Sequence, residues 1–378
     1  MNKPIRVLHT ASGMSSGGVS KMIQQWFYNT NIEEYEFDIA SMNCGMIGKD
    51  LNARGCKIII FKPIREIGVL GYYQQFNYLL KNNEYDIIHS HLGLGSFILF
   101  LAAIKNGNKV RILHAHTNLF HNDSKTGLRN LFIRVVKKIN VMFATHYCAC
   151  TNEAGEYFFS KRIMRKKNAQ IIFNGIEIDK FKFSLEKRNM LRDKYNLDDD
   201  TFVVGNIGRL SAQKNQMFLL EIFKELTKLN QNSILWLIGE GEDEEKLRNK
   251  CYELEISNNV VFWGAIDEIE NLLLCMDVFV MPSIFEGLGI AAIEAQASGL
   301  FCLLSDKIPR EVDITENVKF LELTEPVDMW AKALLESKQK PRIDNSQDII
   351  NSNYDIKTST CKLLKVYESA MEEKYGYK

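Results

Sequence analysis

The chain has 378 residues and a mass of 43.5 kDa. A single hydrophobic core stops growing near ~250–300 residues, so we expect two domains of comparable size. A hydrophobic content of 46%, a charged content of 25% and only 6 prolines exclude a disordered, collagen-like or low-complexity chain. Lys and Arg balance Asp and Glu at 47 each, which excludes the basic footprint of a nucleic-acid-binding protein.

The balanced charge conceals a difference between the two halves of the chain. Residues 1–180 contain 23 Lys and Arg against 13 Asp and Glu, a net of +10, so the remainder carries −10. This asymmetry indicates different partners for the two halves. The eight cysteines form no C-x-x-C spacing, which favours reduced thiols over a zinc or disulfide framework. No signal peptide is expected, and the longest apolar-rich stretch, 92–104, is shorter than the ~20 residues of a membrane-spanning helix. We therefore expect a cytoplasmic protein.

Short β-branched runs alternate with segments of helical periodicity, which is typical of βαβ units and parallel sheets. After the first strand, the apolar residues of 19–27 recur with the spacing of a helix. The strands predicted in the first half are Ile5–His9, Phe37–Ala40, Lys57–Phe61, Asp86–His89, Val110–His114, Tyr147–Cys150 and Gln170–Phe173. A linker is expected near Phe181–Ser184.

A second series of strands follows this linker, and a final helix is predicted from about Asp355 to Met371. The strands predicted in the second half are Phe202–Ile207, Ile234–Ile238, Val260–Trp263, Val278–Met281 and Cys302–Leu304. The predicted fold class is α/β, with two doubly wound parallel sheets. Because such sheets bind ligands outside the carboxyl ends of their strands, functional residues should directly follow strands.

A glycine-rich segment follows the first predicted strand. Gly17 and Gly18 precede the helix that begins near Val19, and glycines allow backbone N–H groups to approach an anion at a helix N-terminus. The segment matches neither the G-x-G-x-x-G fingerprint nor the P-loop motif. An anion site and a flexible loop are both compatible with it.

Two cations follow the predicted strand Phe202–Ile207. Arg209 and Lys214 are five residues apart at a strand-to-helix turn. Arg offers a planar fork and Lys a point charge, so together they could hold a diphosphate. The alternative is two solvated loop cations.

Two carboxylates follow the predicted strand Val278–Met281. Glu286 lies in the loop and Glu294 lies about two helical turns further on. A carboxylate accepts two hydrogen bonds at once, which suits a vicinal diol of ribose or hexose. The amides of Gly287, Leu288 and Gly289 would face an anion. Alternatively, Glu286 complements a helix N-terminus and Glu294 is a surface residue.

Two H-x-H pairs follow strands in the first half: His89 with His91, and His114 with His116. Residues i and i+2 of an extended chain share a face, so four imidazoles could bind a metal. No Asp, Glu or Cys in the sequence is placed to complete such a site, and we expect no metal. A histidine lining a polar cleft is the preferred interpretation, and satisfied core histidines are the alternative.

The acidic run Asp198–Asp200 contains a D-x-D, a pattern of many metal-dependent sugar transferases. It precedes a strand and so lies at the wrong end of the sheet. We interpret it as a solvated turn.

Taken together and in chain order, these residues resemble glycosyltransferase family 4, the GT-B retaining nucleotide-sugar transferases. The resemblance rests on Gly208-Arg209-Leu210 with Lys214, and on Glu286 and Glu294 separated by seven residues. It extends over most of the chain. The further matching segments are Gly17-Gly18, 112–118, Asn174-Gly175-Ile176 with Phe181, 237–241, 261–264 and 282–288.

The resemblance implies a role for each matching residue. Arg209 and Lys214 would hold the donor diphosphate, Glu286 would contact the donor sugar, and Glu294 the ribose. The backbone of Gly287, Leu288 and Gly289 would approach sugar and phosphate. Gly17 and Gly18 would close on the phosphates from the first domain. The backbone around Phe262 would lie near the nucleobase, and His116, further into its loop than His114, would lie near the transferred sugar. Gly289 departs from similar members, which often carry Pro or Phe there.

The resemblance also implies the fold and the function. We expect a GT-B fold, with two Rossmann-like domains facing across a cleft. The acceptor-side domain would be 1–182 with a helix at 355–378 packed on it, and the donor-binding domain 183–354. The expected hexosyltransferase moves a sugar from a nucleoside diphosphate sugar to a glycan or isoprenoid-linked acceptor in capsular or exopolysaccharide synthesis. It would use no cofactor and no metal, because Arg209, Lys214 and helix N-termini stabilise the leaving group.

Other classes fit parts of the pattern. A GT-B epimerase or sugar-phosphate synthase would act on a nucleotide sugar without a glycan acceptor. A nicotinamide oxidoreductase would need a complete G-x-G-x-x-G, and Gly93-x-Gly95 lacks the third glycine. A catalytically inactive sugar-binding protein would not need both the cations and the glutamates.

Basic residues cluster in the first half beside an apolar stripe. A helix predicted between Lys125 and Phe143 places apolar residues on one stripe and basic residues off it. The stripe is Leu128, Leu131, Phe132, Val135, Ile139 and Met142, the basic residues are Arg134, Lys137 and Lys138, and a second basic cluster spans 161–167. An ordinary surface helix explains such a pattern, and so does peripheral attachment to an anionic membrane surface at the inner face of the membrane.

Overall fold

The structure is a computed structural model that describes residues 3–15, 17–116, 127–166 and 168–376, with the Leu128 side chain excepted. Its contacts divide the chain into two compact units. The first unit comprises residues 1–175 and 356–378, and the second comprises residues 176–355. None of the described helices is long and apolar enough to cross a bilayer.

The first unit is a seven-stranded parallel sheet with helices on both faces. Its strands are β1 (Ile5–Ala11), β2 (Tyr35–Ser41), β3 (Lys57–Ile60), β4 (Ile87–Ser90), β5 (Val110–Ala115), β6 (His146–Ala149) and β7 (Ala169–Ile171), in the spatial order β3-β2-β1-β4-β5-β6-β7. Its helices are α1 (Gly18–Tyr28), α2 (Gly45–Ala53), α3 (Ile64–Asn82), α4 (Ser96–Lys105), α5 (Leu128–Phe143), α6 (Asn152–Phe159) and α7 (Lys161–Met164), followed at the end of the chain by α16 (Ile356–Tyr375).

The second unit is a six-stranded parallel sheet. Its strands are β8 (Phe202–Ile207), β9 (Ser233–Ile238), β10 (Val260–Gly264), β11 (Val278–Met281), β12 (Phe301–Ser305) and β13 (Val318–Leu321), in the spatial order β10-β9-β8-β11-β12-β13. Its helices are α8 (Ile178–Phe181), α9 (Leu185–Lys194), α10 (Gln216–Leu229), α11 (Glu244–Glu253), α12 (Ile269–Cys275), α13 (Ile290–Ala297), α14 (Val327–Glu336) and α15 (Ser346–Asn351).

The predicted α/β fold class with two doubly wound sheets is confirmed. All the predicted strands form, with ends that differ by at most two residues, whereas β13 was not predicted. The segment Phe181–Ser184, expected as a linker, lies within the second unit, where the Phe181 side chain is buried.

Each sheet buries long apolar strands between its helices. In the first unit one face packs on Trp26 of α1 and on Leu363 and Tyr367 of α16, and the other packs on α3 and α4. In the second unit, the core gathers β8, β9 and β11 with α10 and Trp330 of α14. The helix at the end of the chain therefore contributes to the core of the first unit.

The strand order reverses at one point in each sheet. In the first sheet β1 and β4 are neighbours, and in the second β8 and β11 are neighbours, although neither pair is consecutive in sequence. The loops after two such strands leave toward opposite faces of the sheet and open a crevice at its carboxyl edge. The crevices are expected at the loops after β1 and β4, and after β8 and β11.

Candidate active site

Hydrogen bonds from backbone and side-chain amides join the loops after β8 and β11. The Gln213 side chain donates to the Phe285 carbonyl at 3.1 Å, and the Ile284 amide donates to the Gln213 carbonyl at 2.8 Å. The Asn215 side chain donates to the Pro282 carbonyl at 3.1 Å. These bonds hold the two loops together at the crevice of the second sheet.

A buried ion pair lies between these two loops. Lys214 Nζ is 2.6 Å from Glu286 Oε1, and the two side chains are only 18% and 8% exposed. The Ser283 hydroxyl donates to the same Oε1 at 2.7 Å. The structure thus brings together two residues that the sequence analysis singled out separately. Such a pair offers a cation and a carboxylate to one polar ligand.

Gly208 and Gly239 allow the backbone to pack closely in this part of the site. A Cβ at Gly208 would lie 3.0 Å from Lys214 Cε, so the lysine stem runs directly over the glycine. A Cβ at Gly239 would lie 2.1 Å from the Gly208 carbonyl oxygen, which no side chain could tolerate. The loops after β8 and β9 therefore pack backbone against backbone beneath Lys214.

Arg209 lies in a different environment from Lys214. Its side chain is 71% exposed, and its Nε is 2.9 Å from Glu242 Oε2, which is also exposed. An exposed ion pair contributes little to stability and is easily exchanged for another partner. The expected pair of cations thus consists of one largely buried lysine in an ion pair and one exposed arginine.

Helix α13 begins immediately after the Glu286 loop. Gly289 precedes the helix with φ of +89°, a left-handed conformation that glycine adopts readily and that the ring of proline cannot reach. Leu288 is buried, and Glu294 lies half-buried in the middle of α13. The first amides of the helix follow Gly287 and Gly289 and face the end of the loop.

Phe262 lies on β10, where its ring packs partly into the core and the Arg248 guanidinium lies 4.2 Å from the ring centroid. The side chain is therefore already engaged within the protein. That the backbone here lies near a nucleobase stays a prediction.

In the first unit, Gly17 and Gly18 lie at the start of α1, directly after the β1 loop. Among the described residues, a Cβ at Gly18 would meet no atom within 4 Å, and one at Gly17 would meet only Ser20 Oγ at 3.8 Å. Packing against this part of the chain therefore does not require glycine at either position. The open space leaves room for a ligand to approach the backbone.

The two H-x-H pairs lie deeper than a cleft lining would. His89 and His114 lie inside β4 and β5 and are almost fully buried, and His91 is buried just after β4. His116 follows β5, is half-buried, and its Nε2 lies 2.8 Å from His91 Nδ1. Burial lowers the pKa of His116 to about 3, so this imidazole is neutral at pH 7.

The sequence analysis missed two residues of the histidine cluster. His9 of β1 and Cys148 of β6 both lie within it. The expectation that no cysteine could complete a metal site was therefore wrong, since Cys148 lies within ligand distance of His89 and His114. Parallel pairing of β1, β4, β5 and β6 brings these residues together, although they are distant in sequence.

The run Asp198–Asp200 forms an exposed turn before β8, as predicted. It is not part of any candidate metal-ligand group among the described residues. The candidate metal-ligand groups among the described residues are His9 with His89 and His91, His89 with His114 and Cys148, and His91 with His114 and His116.

Sequence reasoning also missed Gln213, Asn215 and Ser283, which support the Lys214–Glu286 pair. Each is a polar residue in the loop that follows a strand, which is the signal that identified Lys214 and Glu286. Their partners lie three residues away for Ser283 and 67 to 72 residues away for the other two.

Two doubly wound parallel units with a polar site at a strand-order reversal agree with the expected GT-B fold. The model of the glycosyl transferases group 1 matches residues 187–354, and the model of glycosyltransferase family 4 matches residues 35–180. The chain belongs to glycosyltransferase family 4 and is a glycosyltransferase.

Several relatives are similar to this chain in sequence. The EpsF protein of Bacillus subtilis (strain 168), named as a glycosyltransferase, is 27% identical over 98% of both chains. The capsular polysaccharide biosynthesis glycosyltransferase CapH of Staphylococcus aureus is 25% identical over 97% of this chain and 99% of its own. The UDP-Gal:alpha-D-GlcNAc-diphosphoundecaprenol alpha-1,3-galactosyltransferase of Escherichia coli is 27% identical over 60% of this chain and 59% of its own.

A solved structure has the same fold. The crystal structure of Anabaena Alr3699/HepE in complex with UDP and glucose superposes with a TM-score of 0.80, at 18% identity, over 97% of this chain and 100% of that one. The similarity extends over both units and confirms the expected GT-B fold class.

Proposed function

We propose that this glycosyltransferase moves a hexose from a nucleoside diphosphate sugar to a glycan or isoprenoid-linked glycan, in the synthesis of a surface polysaccharide. The observation that carries the proposal is the buried Lys214–Glu286 pair at the strand-order reversal of the second sheet. The relatives support the choice of partners. CapH is named for capsule synthesis, the Escherichia coli relative for a diphosphoundecaprenol acceptor, and the HepE crystals contain UDP and glucose.

The proposed donor site uses charge where a metal acts in other transferases. Departure of a nucleoside diphosphate leaves growing negative charge, which Lys214, Arg209 and the first amides of α13 can stabilise. Glu286 would accept hydrogen bonds from the donor sugar, and Glu294 from the ribose hydroxyls. The backbone of 287–289 would approach the sugar and phosphate, and that of Phe262 the nucleobase.

The first unit is proposed to provide the remaining contacts. The open space at Gly17 and Gly18 suits approach of the donor phosphates to the backbone. His116 would contact the transferred sugar as a neutral imidazole. The acceptor hydroxyl would attack from the face that the leaving group vacates, which retains the configuration of the anomeric carbon. The leaving phosphate can take the proton.

An acceptor-dependence assay tests this proposal. Purified protein is incubated with a panel of nucleoside diphosphate sugars, with and without a lipid extract from a capsule-forming bacterium, and released nucleoside diphosphate is measured. One nucleotide sugar should be consumed at least ten times faster with the extract than without it. Equal turnover without any acceptor would contradict transfer and favour an enzyme that acts on the nucleotide sugar alone.

We also propose that α5 attaches the protein to an anionic membrane surface. Of the predicted apolar stripe, Leu131, Phe132, Val135 and Met142 are 46–69% exposed and face solvent, Ile139 is half-buried, and the Leu128 side chain lies outside the described part. Among the described side chains of α5, the buried ones are Ile133, Val136 and Asn140, on another side of the helix. An outward apolar face this large on a charged helix is typical of interfacial binding.

Exposed basic residues complement an anionic surface beside this apolar face. Arg134 and Lys138 border it on α5, and Arg162, Arg165 and Lys166 are exposed nearby in sequence. Lys137, predicted among them, instead donates to the Tyr157 carbonyl and lies over that ring. Each cation near an anionic surface contributes about 1 kcal/mol to binding, so the remaining residues suffice for salt-sensitive attachment.

Vesicle flotation tests the attachment. The protein should float with anionic vesicles at low salt and be released at high salt, and it should not float with neutral vesicles. The double variant Phe132→Ser/Met142→Ser should lose flotation at least fivefold, whereas Leu70→Ser, which removes an equally exposed apolar side chain from α3, should not. Equal flotation of both variants would refute a role for α5.

A further inference from the structure

The first unit contains a buried cluster of imidazoles of which the proposed function uses only one. Five of the six histidines that the structure describes contact one another at the carboxyl half of β1, β4 and β5. They are His9, His89, His91, His114 and His116, and the Tyr367 hydroxyl of α16 lies among them. Trp26 covers the cluster by stacking on His89 and His114.

These six side chains form an unbroken series of hydrogen-bond distances, which we call the relay. His116 Nε2 lies 2.8 Å from His91 Nδ1, and His91 Nε2 lies 3.1 Å from His9 Nδ1. The Tyr367 hydroxyl lies 3.3 Å from His9 Nε2 on one side and 2.7 Å from His89 Nδ1 on the other. His89 Nε2 lies 3.1 Å from His114 Nδ1. The two end nitrogens, His116 Nδ1 and His114 Nε2, are buried without a hydrogen-bond partner in the part of the chain that the structure describes.

The relay is neutral at pH 7. Burial lowers the pKa of His9 and of His116 to about 3, and burial with neighbouring imidazoles lowers the pKa of the other three well below 6.5. A neutral imidazole has one N–H and one lone pair, and a hydroxyl has one proton. The relay therefore has six protons for five hydrogen bonds. One proton remains, and it lies at one of the two ends.

Only two arrangements satisfy every hydrogen bond of the relay. In one, every imidazole carries its proton on Nε2, so His116 Nδ1 is a lone pair and His114 Nε2 is a free N–H. In the other, every imidazole carries its proton on Nδ1, and the two ends are reversed. The Tyr367 hydroxyl couples the tautomers of the two halves, because it accepts a hydrogen bond from one neighbouring histidine and donates one to the other.

We propose that the five histidines share a single tautomer, and that Tyr367 is a positioning residue that couples the two halves of the relay. The shared tautomer determines whether His116 Nδ1 is a lone pair or an N–H. This nitrogen is buried in the structure, so a ligand reaches it only after the side chains around it move. That step rests on the proposed function, in which the ligand is the transferred sugar, and a sugar hydroxyl that then donates to His116 Nδ1 selects the arrangement with all protons on Nε2.

Metal binding is the competing use of the same side chains. Zinc requires lone pairs that converge at ~2.1 Å on one point. In the relay, eight of the ten imidazole nitrogens already face another member. Three-histidine ligation by His91, His114 and His116 would use a nitrogen of His91, both of which are engaged. The geometry therefore favours the relay.

Nitrogen NMR of histidine-labelled protein tests the relay without reference to activity. The protein is labelled with ¹⁵N-histidine, and long-range ¹H–¹⁵N spectra at pH 7.5 report the tautomer of each ring. His121→Gln and His146→Gln assign the signals of the other two histidines. The five remaining histidines should be neutral and should show the same tautomer, or the same ratio of tautomers.

A matched pair of variants tests the role of Tyr367. Tyr367→Phe removes the coupling hydroxyl, so the tautomers of His9, His91 and His116 should no longer match those of His89 and His114. Tyr147→Phe also removes a buried hydroxyl, which donates to the Val141 carbonyl, and it should leave all five signals unchanged.

Three results would overturn the relay. They are different tautomers among the five histidines of the wild type, an unchanged spectrum of Tyr367→Phe, and stoichiometric zinc binding that shifts the His91, His114 and His116 signals. A protein that transfers no sugar but shows matched tautomers would contradict the proposed function and leave the relay intact.

Discussion

Replacing Lys214 with methionine should affect stability and catalysis through different routes. The replacement keeps the length of the side chain but removes the positive charge beside Glu286. The buried Glu286 carboxylate keeps the hydrogen bond from the Ser283 hydroxyl. At 2.6 Å and an effective dielectric of about 20, the attraction between the two charges is about 6 kcal/mol. Desolvation offsets part of it, so loss of one partner should lower the free energy of unfolding by about 3–5 kcal/mol.

A double-mutant cycle separates the two routes. Glu286→Gln should also destabilise the second unit, but Lys214→Met/Glu286→Gln contains no buried charge and should recover to within about 1 kcal/mol of the wild type. Turnover should not recover. Loss of one charge-assisted contact to the leaving diphosphate costs on the order of 10²–10³ in rate.

The assay follows urea unfolding by hydrogen exchange in peptides of the second unit, together with release of nucleoside diphosphate. Lys246→Met is the matched control, because Lys246 is 2.7 Å from Asp243 in an ion pair whose lysine is exposed, and its loss should change neither quantity measurably. Wild-type stability and turnover in Lys214→Met would refute the buried pair. Recovery of both quantities in the double variant would show that the pair is purely structural.

Three further results are expected. Arg209→Ala should unfold at the wild-type urea concentration, because its side chain is exposed, yet bind donor at least tenfold more weakly by calorimetry; unchanged affinity would remove it from the site. Activity should survive EDTA, and a full loss restored by magnesium or manganese would show that a metal is required. The pKa of His9 is about 3 in the folded protein against 6.5 in the unfolded chain, so the unfolded chain binds more protons as the pH falls below 6.5. At pH 5 this one group should lower the free energy of unfolding by about 2 kcal/mol. The four other histidines of the cluster also have lowered pKa values and add to this loss. Hydrogen exchange corrected for intrinsic rates should therefore show a loss of at least that size in the first unit alone, since residues 176–355 contain no histidine; equal loss in both units would contradict it.

The strands could be predicted because parallel strands buried on both faces are short, continuous apolar runs. The strand β13 could not, because its sequence VKFL is short and contains a lysine, and its residues are only partly buried at the edge of the sheet. Its position depends on pairing with β12, which no local pattern records.

The α5 helix shows what periodicity leaves open. The spacing of Leu131, Val135 and Met142 predicts a helix, and the helix forms. The same spacing does not say which side faces the core. The core instead receives Ile133 and Val136, so an apolar stripe alone does not identify the buried face.

The site itself was partly predictable. Residues directly after strands identified Lys214 and Glu286, because the carboxyl edge of the sheet is known from the fold class. That these two residues pair depends on β8 lying beside β11, which follows from strand order rather than from any motif. His9 was missed for the same reason, since it joins the histidine cluster only through the pairing of β1 with β4.

The central claim is transfer of a sugar with retention, and real-time proton NMR of the anomeric signals tests it most directly. The wild type is incubated with the preferred nucleotide sugar and its acceptor in the presence of EDTA. The donor signal should be replaced by a glycoside of the same anomeric configuration, with one nucleoside diphosphate released per glycoside formed. A product of inverted configuration, or free sugar released without a glycoside, would contradict the account.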